Sequence, residues 1–362
     1  MKQTSMADSV RWDRTLIAAA SSLCLISIVA LSSASATLSP TLVIKQTLWI
    51  GVGILASLLV ASMPYPRWLD VSLFLYGGVM VLLLGVLLVG PERSGASRWI
   101  VLGALSIQPS ELTKVATGCL LARYLAAQPT PLPLRSLVIS AGVVGLPALL
   151  IFLQPDFGTA CVLGAMWFGM IWIAGLSRRH LVVMGAAGLA LLPVGWHLLK
   201  DYQRMRLLVF VNPHADPLGA GYTLIQSTIA IGSGQLLGRG WMAGTQNQLN
   251  FLPERHTDFI YSAIGEEWGF AGSVLVILLF GVFVWRAIRI ALQNSDPQGR
   301  LVATAIVSWF GFQAVVNMGM AMGLLPVVGV PLPLVSYGGS AMLTGWLALG
   351  LLQSVHRFGT RF

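Results

Sequence analysis

Long apolar runs recur from one end of the chain to the other. Each holds roughly 18 to 24 mostly apolar residues, which is enough for a helix to cross a bilayer. Of the 362 residues, 56% are hydrophobic and 10% are charged, whereas charged residues make up about a quarter of a typical soluble domain. A water-soluble fold of this composition would expose large apolar surfaces and aggregate. The sequence therefore predicts an all-α polytopic membrane protein.

Ten of these apolar segments are predicted to be transmembrane helices. They lie at about 14–36, 41–62, 68–89, 108–127, 136–153, 156–174, 180–200, 261–290, 300–324 and 337–356. The first segment lacks a short core followed by a small-residue cleavage site, so we interpret it as a retained helix and not as a signal peptide. The whole chain, 1–362, is predicted to form one membrane domain, with a large extracytoplasmic loop at about 201–260 between the seventh and eighth helices.

The positions of lysine and arginine give the predicted orientation. Most basic residues of the short loops fall on one side of the membrane, which identifies that side as the cytoplasm and places both chain ends there. This distribution accounts for most of the net charge of +9, so we expect no nucleic-acid partner. Besides the chain ends, the basic residues assigned to this side are Arg67, Arg123, Arg135, Arg178, Arg179, Arg286, Arg289, Arg300 and Arg357.

Two segments on the other side combine hydrophobic residues with glycine or proline. They are "YTLIQSTIAIGSGQLLGRG" (222–240) and "LPVVGVPLPLVSYGGSAM" (325–342). An irregular backbone cannot face lipid, because its N–H and C=O groups would lack hydrogen-bonding partners. We therefore expect both segments to be buried against helices or to line a cavity. The predicted picture is a groove open to the outer leaflet and covered by partly membrane-embedded loops.

Two short segments place an acidic residue where an apolar helix is predicted to begin. "QPSELTK" contains Glu111 and, one turn later on the same helix face, Lys114. A favourable interaction of Glu111 with the helix dipole and a functional role for the pair are equally open alternatives. "QPDFGTA" places Asp156 directly after a proline, and for this residue helix capping is the favoured interpretation.

The densest group of ionisable residues lies in "PERHTDFIYSAIGEEWG". Asp258 directly precedes hydrophobic residues, so its carboxylate should be partly desolvated, with a raised pKa unless a cation offsets the burial. Arg255 and His256 are the nearest cations along the chain. A simple N-cap role for Asp258 is an equal alternative at this point. Glu266 and Glu267 lie about two turns deeper, and we expect them to pair with lysine or arginine in the cavity.

Cations on the outer face together with one desolvated carboxylate suit a substrate that is both lipidic and anionic, such as a polyprenyl pyrophosphate sugar. Arginine and lysine bind pyrophosphate through paired N–H donors or as point charges. Transfer of the sugar requires a base for the attacking hydroxyl, but no general acid, because pyrophosphate leaves as a stable anion. Glycosidases need two carboxylates. One committed carboxylate therefore favours transfer over hydrolysis.

Two other classes of function remain open from the residues alone. A flippase would use intramembrane glutamate and lysine to mark a transport path. Such a path needs charges on both faces of the cavity, whereas most acidic residues fall in the outer half and the inner side carries short basic loops. This distribution favours chemistry at the outer surface. A scaffold without chemistry would tolerate substitution of Asp258.

The sequence resembles the SEDS family (shape, elongation, division, sporulation) over nearly its whole length. The resemblance rests on "GASRWI", "QPSELTK", "QPDFGT", "DYQRMR", "DPLGAGY", "GTQNQLNFLPERHTDFI" and "LPVVGVPLPLVSYGGS", in this order along the chain. It implies a peptidoglycan glycosyltransferase with ten spans that polymerises lipid II outside the cytoplasmic membrane during cell elongation and shape maintenance. The implied partners are a class B penicillin-binding protein, which supplies the transpeptidase, the nascent glycan strand and other elongation-complex proteins. A lipid II flippase is the alternative.

The resemblance also implies the residues of the site. Asp258 matches the essential aspartate of the family and is the predicted general base of an inverting transfer that releases undecaprenyl pyrophosphate. A divalent cation, Mg²⁺ or Mn²⁺, could share the phosphate charge, but no dedicated metal site is predicted. The resemblance also implies that Arg98, Glu111, Lys114 and Asp156 are functionally sensitive, and we predict that they bind the substrate. From their charge and position we add Arg255, His256 and, as alternatives to each other, Arg204 and Arg206 to the predicted substrate-binding residues.

Overall fold

The protein is mostly helical in a computed structural model, which describes residues 12–36, 39, 41–89, 98–102, 105–199 and 201–359. The α-helices are α1 (Arg14–Ala34), α2 (Thr41–Ser62), α3 (Tyr65–Asp70), α4 (Ser72–Val89), α5 (Pro109–Ala126), α6 (Leu134–Leu153), α7 (Phe157–Ile173), α8 (Arg178–Leu198), α9 (Asp201–Val211), α10 (Tyr222–Ser233), α11 (Thr245–Gln248), α12 (Ile260–Gln293), α13 (Pro297–Ala321) and α14 (Gly339–Phe358). Two short antiparallel strands, β1 (Ile100–Leu102) and β2 (Leu105–Ile107), precede α5.

Each of the ten predicted spans is occupied by helix, with small shifts at the ends. The predicted third span is divided at Val71, where the Ser72 hydroxyl donates to the Leu69 carbonyl at 2.6 Å and α3 ends. By length and apolarity, six helices of the described residues could cross a membrane: α1, α2, α6, α8, α12 and α13. The chain is an integral membrane protein, and the count of ten spans stays a prediction. The chain ends, predicted to be cytoplasmic, lie outside the described residues.

The core is built around α13, the most buried of these six helices. It packs against α5, α7, α12 and α14, and the rings of Phe283 on α12 and Phe310 on α13 stack with centroids 4.7 Å apart. In contrast, α8 buries none of the residues described for it. The bundle is therefore tight at α13 and open at α8.

Glycines allow α2 and α14 to approach each other closely. A Cβ atom at Gly350 would lie 2.6 Å from the Ser57 carbonyl oxygen, and one at Gly53 would lie 2.6 Å from the Trp346 ring. Apolar side chains gain little from burial when the surroundings are lipid, so close packing of small residues is a main source of helix association in membranes.

Asp13 joins three helices near one end of the bundle. Its carboxylate forms a salt bridge with Arg286 of α12 and caps α1 by accepting from the Leu16 N–H at 2.9 Å. Its backbone exchanges two hydrogen bonds with the Gln353 side chain of α14, at 3.0 and 3.1 Å. A buried aspartate is thus satisfied by a cation, a helix terminus and an amide.

The loop between α8 and α12 is more regular than predicted. Residues Tyr222–Ser233 form α10, so the expectation of irregular backbone is wrong for this part of the 222–240 segment. The helix forms because its small polar residues find partners in the bundle: the Ser227 hydroxyl hydrogen bonds with that of Ser262 and donates to the Ala321 carbonyl, both at 2.6 Å. Irregular backbone begins only after Ser233.

That irregular part fits into a break in α12. Gly269 has φ +66° and interrupts the helical hydrogen bonds. The freed N–H groups of Phe270 and Ala271 donate to the carbonyls of Gln235 and Leu236, at 2.8 and 3.1 Å. The break and the loop therefore satisfy each other's backbone groups.

The segment between α13 and α14 is irregular, as predicted, and its second half is buried. Val330, Leu332, Leu334 and Val335 are each at most 2% exposed. This segment forms one wall of the site described below.

We expect Gly350→Ala to destabilise the protein by about 1–3 kcal/mol, because the new methyl group meets the backbone of α2 and overpacks the interface. Gly51→Ala on α2 is the matched control, since nothing lies within 4 Å of its added Cβ. Thermal unfolding of the purified variants in detergent, followed by tryptophan fluorescence, measures the difference. Equal stability of the two variants would contradict the described packing.

Candidate active site

A cavity of about 170 Å³ lies near the N-terminal ends of α7 and α12. It is bounded by α7, by α9, by the residues before α12 and by the irregular segment after α13. It gathers four of the predicted ionisable residues. The lining residues are Arg98, Pro155, Asp156, Phe157, Leu199, Gln203, Arg206, Leu207, Asp258, Pro326, Val327, Val328 and Gly329.

Asp258 opens onto this cavity and does not cap α12. The N-cap position is Phe259, whose side chain forms no capping hydrogen bond, so the N-cap alternative for Asp258 is wrong. Its Oδ2 atom lies 3.4 Å from the position that a Cβ atom would take at Gly329. The carboxylate therefore faces the opposite wall of the cavity at close range.

The pKa of Asp258 is raised from 3.8 to about 7, and burial is the main cause. The negative charges of Glu254 and Asp156 contribute to this rise, whereas the positive charges of Arg206 and Arg98 oppose it. The side chain keeps some exposed surface because it faces the cavity, although protein surrounds it on the other sides. A carboxyl group with a pKa near the operating pH is suited to act as a general base.

Asp156 is a fully hydrogen-bonded helix cap that also lines the cavity. Its oxygens accept from the Thr159 N–H at 3.1 Å and from the Thr159 hydroxyl at 2.9 Å. They also accept from the Gln108 amide at 3.2 Å and the Ser110 hydroxyl at 3.3 Å. The capping interpretation is confirmed. Asp156 thus ties the start of α5 to the start of α7 beside the cavity.

Among the residues that the structure describes, Arg98 and Arg206 are the arginines that line the cavity. The Arg98 guanidinium donates to the carbonyls of Gln154, at 2.9 Å from Nε, and of Pro155. These bonds anchor it to the turn before α7. Arg206 lies on α9 with much of its side chain exposed. The cavity therefore presents cationic groups on two sides.

Arg204 lies on the same helix as Arg206 but points away from the cavity. Its guanidinium donates to the carbonyls of Trp196 and His197, at 3.0 and 2.9 Å, and pairs with Asp201 at 3.7 Å. It therefore caps the C-terminal end of α8. Of the two arginines predicted as alternatives on this stretch, the structure brings only Arg206 to the site.

Arg255 and His256 do not line the cavity, although they are the nearest cations to Asp258 along the chain. The buried Arg255 side chain points to the end of α1 and donates from Nε to the Ala34 carbonyl at 2.8 Å. His256 packs on Tyr337, with ring centroids 5.9 Å apart. Burial lowers the pKa of both groups. The side chains of Arg255, His256 and Asp258 point in different directions because the backbone turns here. Proximity to Asp258 in sequence therefore does not place a side chain in the cavity.

Glu111 and Lys114 form the predicted pair, but they lie in the core and not at the cavity. Their ionised groups are 2.8 Å apart, and both side chains are at most 3% exposed. The Lys114 ammonium donates to the Gln313 side-chain oxygen Oε1 at 3.4 Å and lies 4.5 Å from the Trp309 ring centre, while Glu111 accepts from the Thr344 hydroxyl. A substrate-binding role for this pair stays a prediction.

Glu266 and Glu267 bind neutral groups, so the prediction that they pair with lysine or arginine is wrong. Glu266 accepts from the backbone N–H groups of Gln246 and Asn247, at 2.8 and 3.1 Å. Glu267 accepts from the Asn247 amide at 2.8 Å and from the Ser33 hydroxyl. The two acids orient the loop that carries α11 and attach it to α1 and α12.

Two amides that the sequence analysis missed hold the cavity wall. Gln313 and Asn317, one turn apart on α13, are buried and donate to carbonyls of the irregular segment after that helix. Their position in the sequence could have indicated them, because a polar residue within an apolar span has a high free-energy cost and commonly has a function.

The comparisons with known proteins agree on one family. A family model described as "Cell cycle protein", which covers FtsW, RodA and SpoVE, matches residues 13–361. The chain is 40% identical over 311 residues to peptidoglycan glycosyltransferase MrdB of Escherichia coli (strain K12), covering 85% of this chain and 83% of that protein. It is 39% identical over 318 residues to stage V sporulation protein E of Bacillus subtilis (strain 168), covering 87% and 86%.

Solved structures share the fold. A chain from a study of the structural coordination of polymerization and crosslinking by a peptidoglycan synthase complex matches with a TM-score of 0.83 and 38% identity, over 96% of this chain and 98% of that chain. The rod shape determining protein RodA of Thermus thermophilus matches with a TM-score of 0.72 and 32% identity, over 96% and 97%.

We expect Lys114→Met to destabilise the protein by about 3–5 kcal/mol, because it leaves Glu111 buried without its cation. The double variant Glu111→Gln, Lys114→Met removes both charges and should recover most of that loss. Lys45→Met, at an exposed lysine of α2, is the matched control. Thermal unfolding in detergent is the measurement. If Lys114→Met is as stable as the control, the described pair does not hold the core.

Proposed function

We propose, because the chain belongs to the SEDS family of peptidoglycan glycosyltransferases, that it polymerises lipid II into glycan strands on the outer face of the cytoplasmic membrane. In this proposal it acts in cell elongation and shape maintenance, with both chain ends in the cytoplasm. The observation that carries the proposal is the Asp258 carboxyl group, whose pKa burial raises to about 7 and which faces a cavity lined by two arginines.

In the proposed reaction, Asp258 is the general base. Its carboxylate takes the proton from the 4-hydroxyl of the acceptor's N-acetylglucosamine. The oxygen attacks the anomeric carbon of the lipid-linked strand from the face opposite the pyrophosphate. The bond from that carbon to the pyrophosphate oxygen breaks, and undecaprenyl pyrophosphate leaves with the electron pair. The configuration at the anomeric carbon is therefore inverted.

Arg98 and Arg206 are the residues that we assign to the pyrophosphate. Arginine presents several N–H donors in one plane, which suits phosphate oxygens. The apolar side chains of Leu199, Leu207 and Val327 line the same cavity and suit a lipid-linked substrate. The combination of cations and apolar surface supports a substrate that is anionic at one end and lipidic at the other.

The described residues give little support for a resident metal ion. They contain no group of three or more histidine, cysteine, aspartate or glutamate side chains placed to hold one. Asp156, the second carboxylate of the cavity, already accepts hydrogen bonds on both oxygens. We therefore assign no step to Mg²⁺ or Mn²⁺, which the substrate phosphates themselves could bind.

A class B penicillin-binding protein is the proposed partner, together with other proteins of the elongation complex. The similar chain from the peptidoglycan synthase complex supports this, because that complex coordinates polymerization with crosslinking. In this proposal the partner supplies the crosslinking reaction.

The distribution of charge supports polymerisation over transport of lipid II. The ionisable groups of the cavity lie at the N-terminal ends of α7 and α12, while Glu111 and Lys114 bind each other in the core. A flippase should retain translocation in reconstituted vesicles when Asp258 is replaced. Translocation that survives the replacement of Asp258 would support the flippase alternative, whereas the loss of glycan synthesis alone would support polymerisation.

We expect Asp258→Asn to lower the rate of lipid II polymerisation by about 10²–10⁴-fold, because the amide cannot accept the proton. Gel analysis of glycan strands made by the purified protein from lipid II is the measurement. The wild-type rate should rise with pH through about 7, since only the ionised carboxylate acts as a base. Wild-type activity in Asp258→Asn would show that Asp258 is not the base.

We expect Arg206→Gln to reduce kcat/KM for lipid II roughly 10- to 100-fold, the loss of about 1.5–3 kcal/mol from charge-assisted hydrogen bonds to phosphate. Arg204→Gln is the matched control, because it changes the same residue type on the same helix but loses contacts only to the end of α8 and to Asp201. Equal effects of the two substitutions would contradict the assignment of Arg206 to the substrate.

A further inference from the structure

The buried amide of Asn317 connects the two sides of the cavity. Asn317 is fully buried on α13, and its Nδ2 atom donates to the backbone carbonyl of Asp258 at 2.9 Å and to that of Val330 at 2.7 Å. We infer that Asn317 is a positioning residue for the glycosyl transfer, which fixes the backbone of Asp258 against the cavity wall that contains Gly329 and Val330. This inference rests on the proposed function of Asp258.

Chemistry fixes the orientation of the amide. Both groups that Asn317 contacts are carbonyls, which only accept hydrogen bonds, so its NH₂ group must face them and its oxygen must point away. Of the partners that the structure describes, none binds this oxygen. Neither an aspartate nor an aliphatic side chain could hold both carbonyls. Both hydrogen bonds therefore depend on the two hydrogens of the Asn317 NH₂ group.

These two hydrogen bonds set the distance between Asp258 and the cavity wall that it faces. Val330 follows Gly329, the residue that the Asp258 carboxylate faces at 3.4 Å from a Cβ position. Gly329 has φ +70°, a conformation that favours glycine and leaves the wall without a side chain at this point. The Asn317 NH₂ group thus holds the backbone of Asp258 close to the backbone of Val330, which adjoins the wall residue Gly329.

Other hydrogen bonds hold the same two segments without touching Asp258. The Ser336 hydroxyl donates to the Thr257 carbonyl at 2.5 Å, and the Tyr337 N–H donates to the His256 carbonyl at 2.9 Å. Gln313 donates to the Pro331 carbonyl at 2.7 Å. Loss of Asn317 should therefore leave the segments attached while it frees the peptide of Asp258.

A freer Asp258 should change the pH dependence of the reaction in a known direction. Burial is the main cause of its raised pKa, and the charged groups that act on it are Glu254 beside it, Arg206 of α9, Arg98 before β1 and Asp156 at the start of α7. If the backbone of Asp258 moves, water reaches its carboxylate more easily, and the free-energy cost of burying the ionised form falls. The apparent pKa of the base should therefore move down, toward the ordinary value for aspartate.

The test compares the pH–rate profiles of the full-length wild type, Asn317→Ala and Gln353→Ala, with lipid II as substrate. Gln353 is a buried amide that donates to the Asp13 carbonyl, far along the chain from the cavity residues, and it controls for the loss of a buried hydrogen bond. We expect Asn317→Ala to lower kcat about 10- to 100-fold, as misplacement of a reacting group does, with KM nearly unchanged. The base limb is the part of the pH–rate profile where the rate rises as the base ionises. We expect the base limb of Asn317→Ala to move to lower pH by about half a unit or more.

A purely structural role would lower the amount of active protein and leave the position of the limb unchanged. An unmoved limb in Asn317→Ala therefore overturns the inference, whatever the residual rate. If Asn317→Ala cannot be purified, Asn317→Ser, which keeps one donor, is measured against the same criterion. A wild-type profile without a base limb, or a limb that persists in Asp258→Asn, would instead overturn the proposed function, and with it this inference.

Discussion

The cost of removing charged and polar groups from water is the constraint on which this structure depends. In a bilayer such groups have no solvent to bind, and each one without a partner costs several kcal/mol. The buried acids meet this constraint by different means: Asp13 binds an arginine, Glu111 binds a lysine and Glu266 binds backbone N–H groups. Asp258 is treated differently, because the charges that act on it include acids as well as arginines and do not offset its burial.

This treatment of Asp258 opposes stability and favours chemistry. The pKa of Asp258 is raised in the fold from 3.8 to about 7, so the folded state binds its proton more tightly than the unfolded state does. The contribution of this group to stability therefore falls as the pH rises from about 4 toward 7. At neutral pH the fold holds a carboxylate that gains from taking up a proton, which is what a general base requires. The hydrogen bonds and close packing elsewhere in the bundle offset this loss.

Local features of the site could be predicted from the sequence, because they depend on residues within one helical turn. The pairing of Glu111 with Lys114 follows from their spacing, and the cap formed by Asp156 follows from its place before an apolar helix. Contacts between elements could not be predicted in this way. Arg255 is three residues from Asp258, but its side chain contacts the end of α1. Arg98 is distant in sequence, but it lines the same cavity as Asp258. The direction of a side chain depends on the backbone turn that carries it.

The same limit applies to the irregular segments, and it has a physical cause. The sequence indicates, through proline and glycine, that the segment after α13 cannot be helical, and hence that its carbonyls need partners in the bundle. It does not indicate which residues supply them. In the structure these partners are Gln313 and Asn317, two buried amides in the C-terminal half of α13. In a membrane protein, a lone amide in an apolar span and a break in regular backbone are complementary signals, because each leaves hydrogen-bonding groups that the other can satisfy. Here the two meet beside Asp258, so the contact that satisfies the backbone also supports the proposed base.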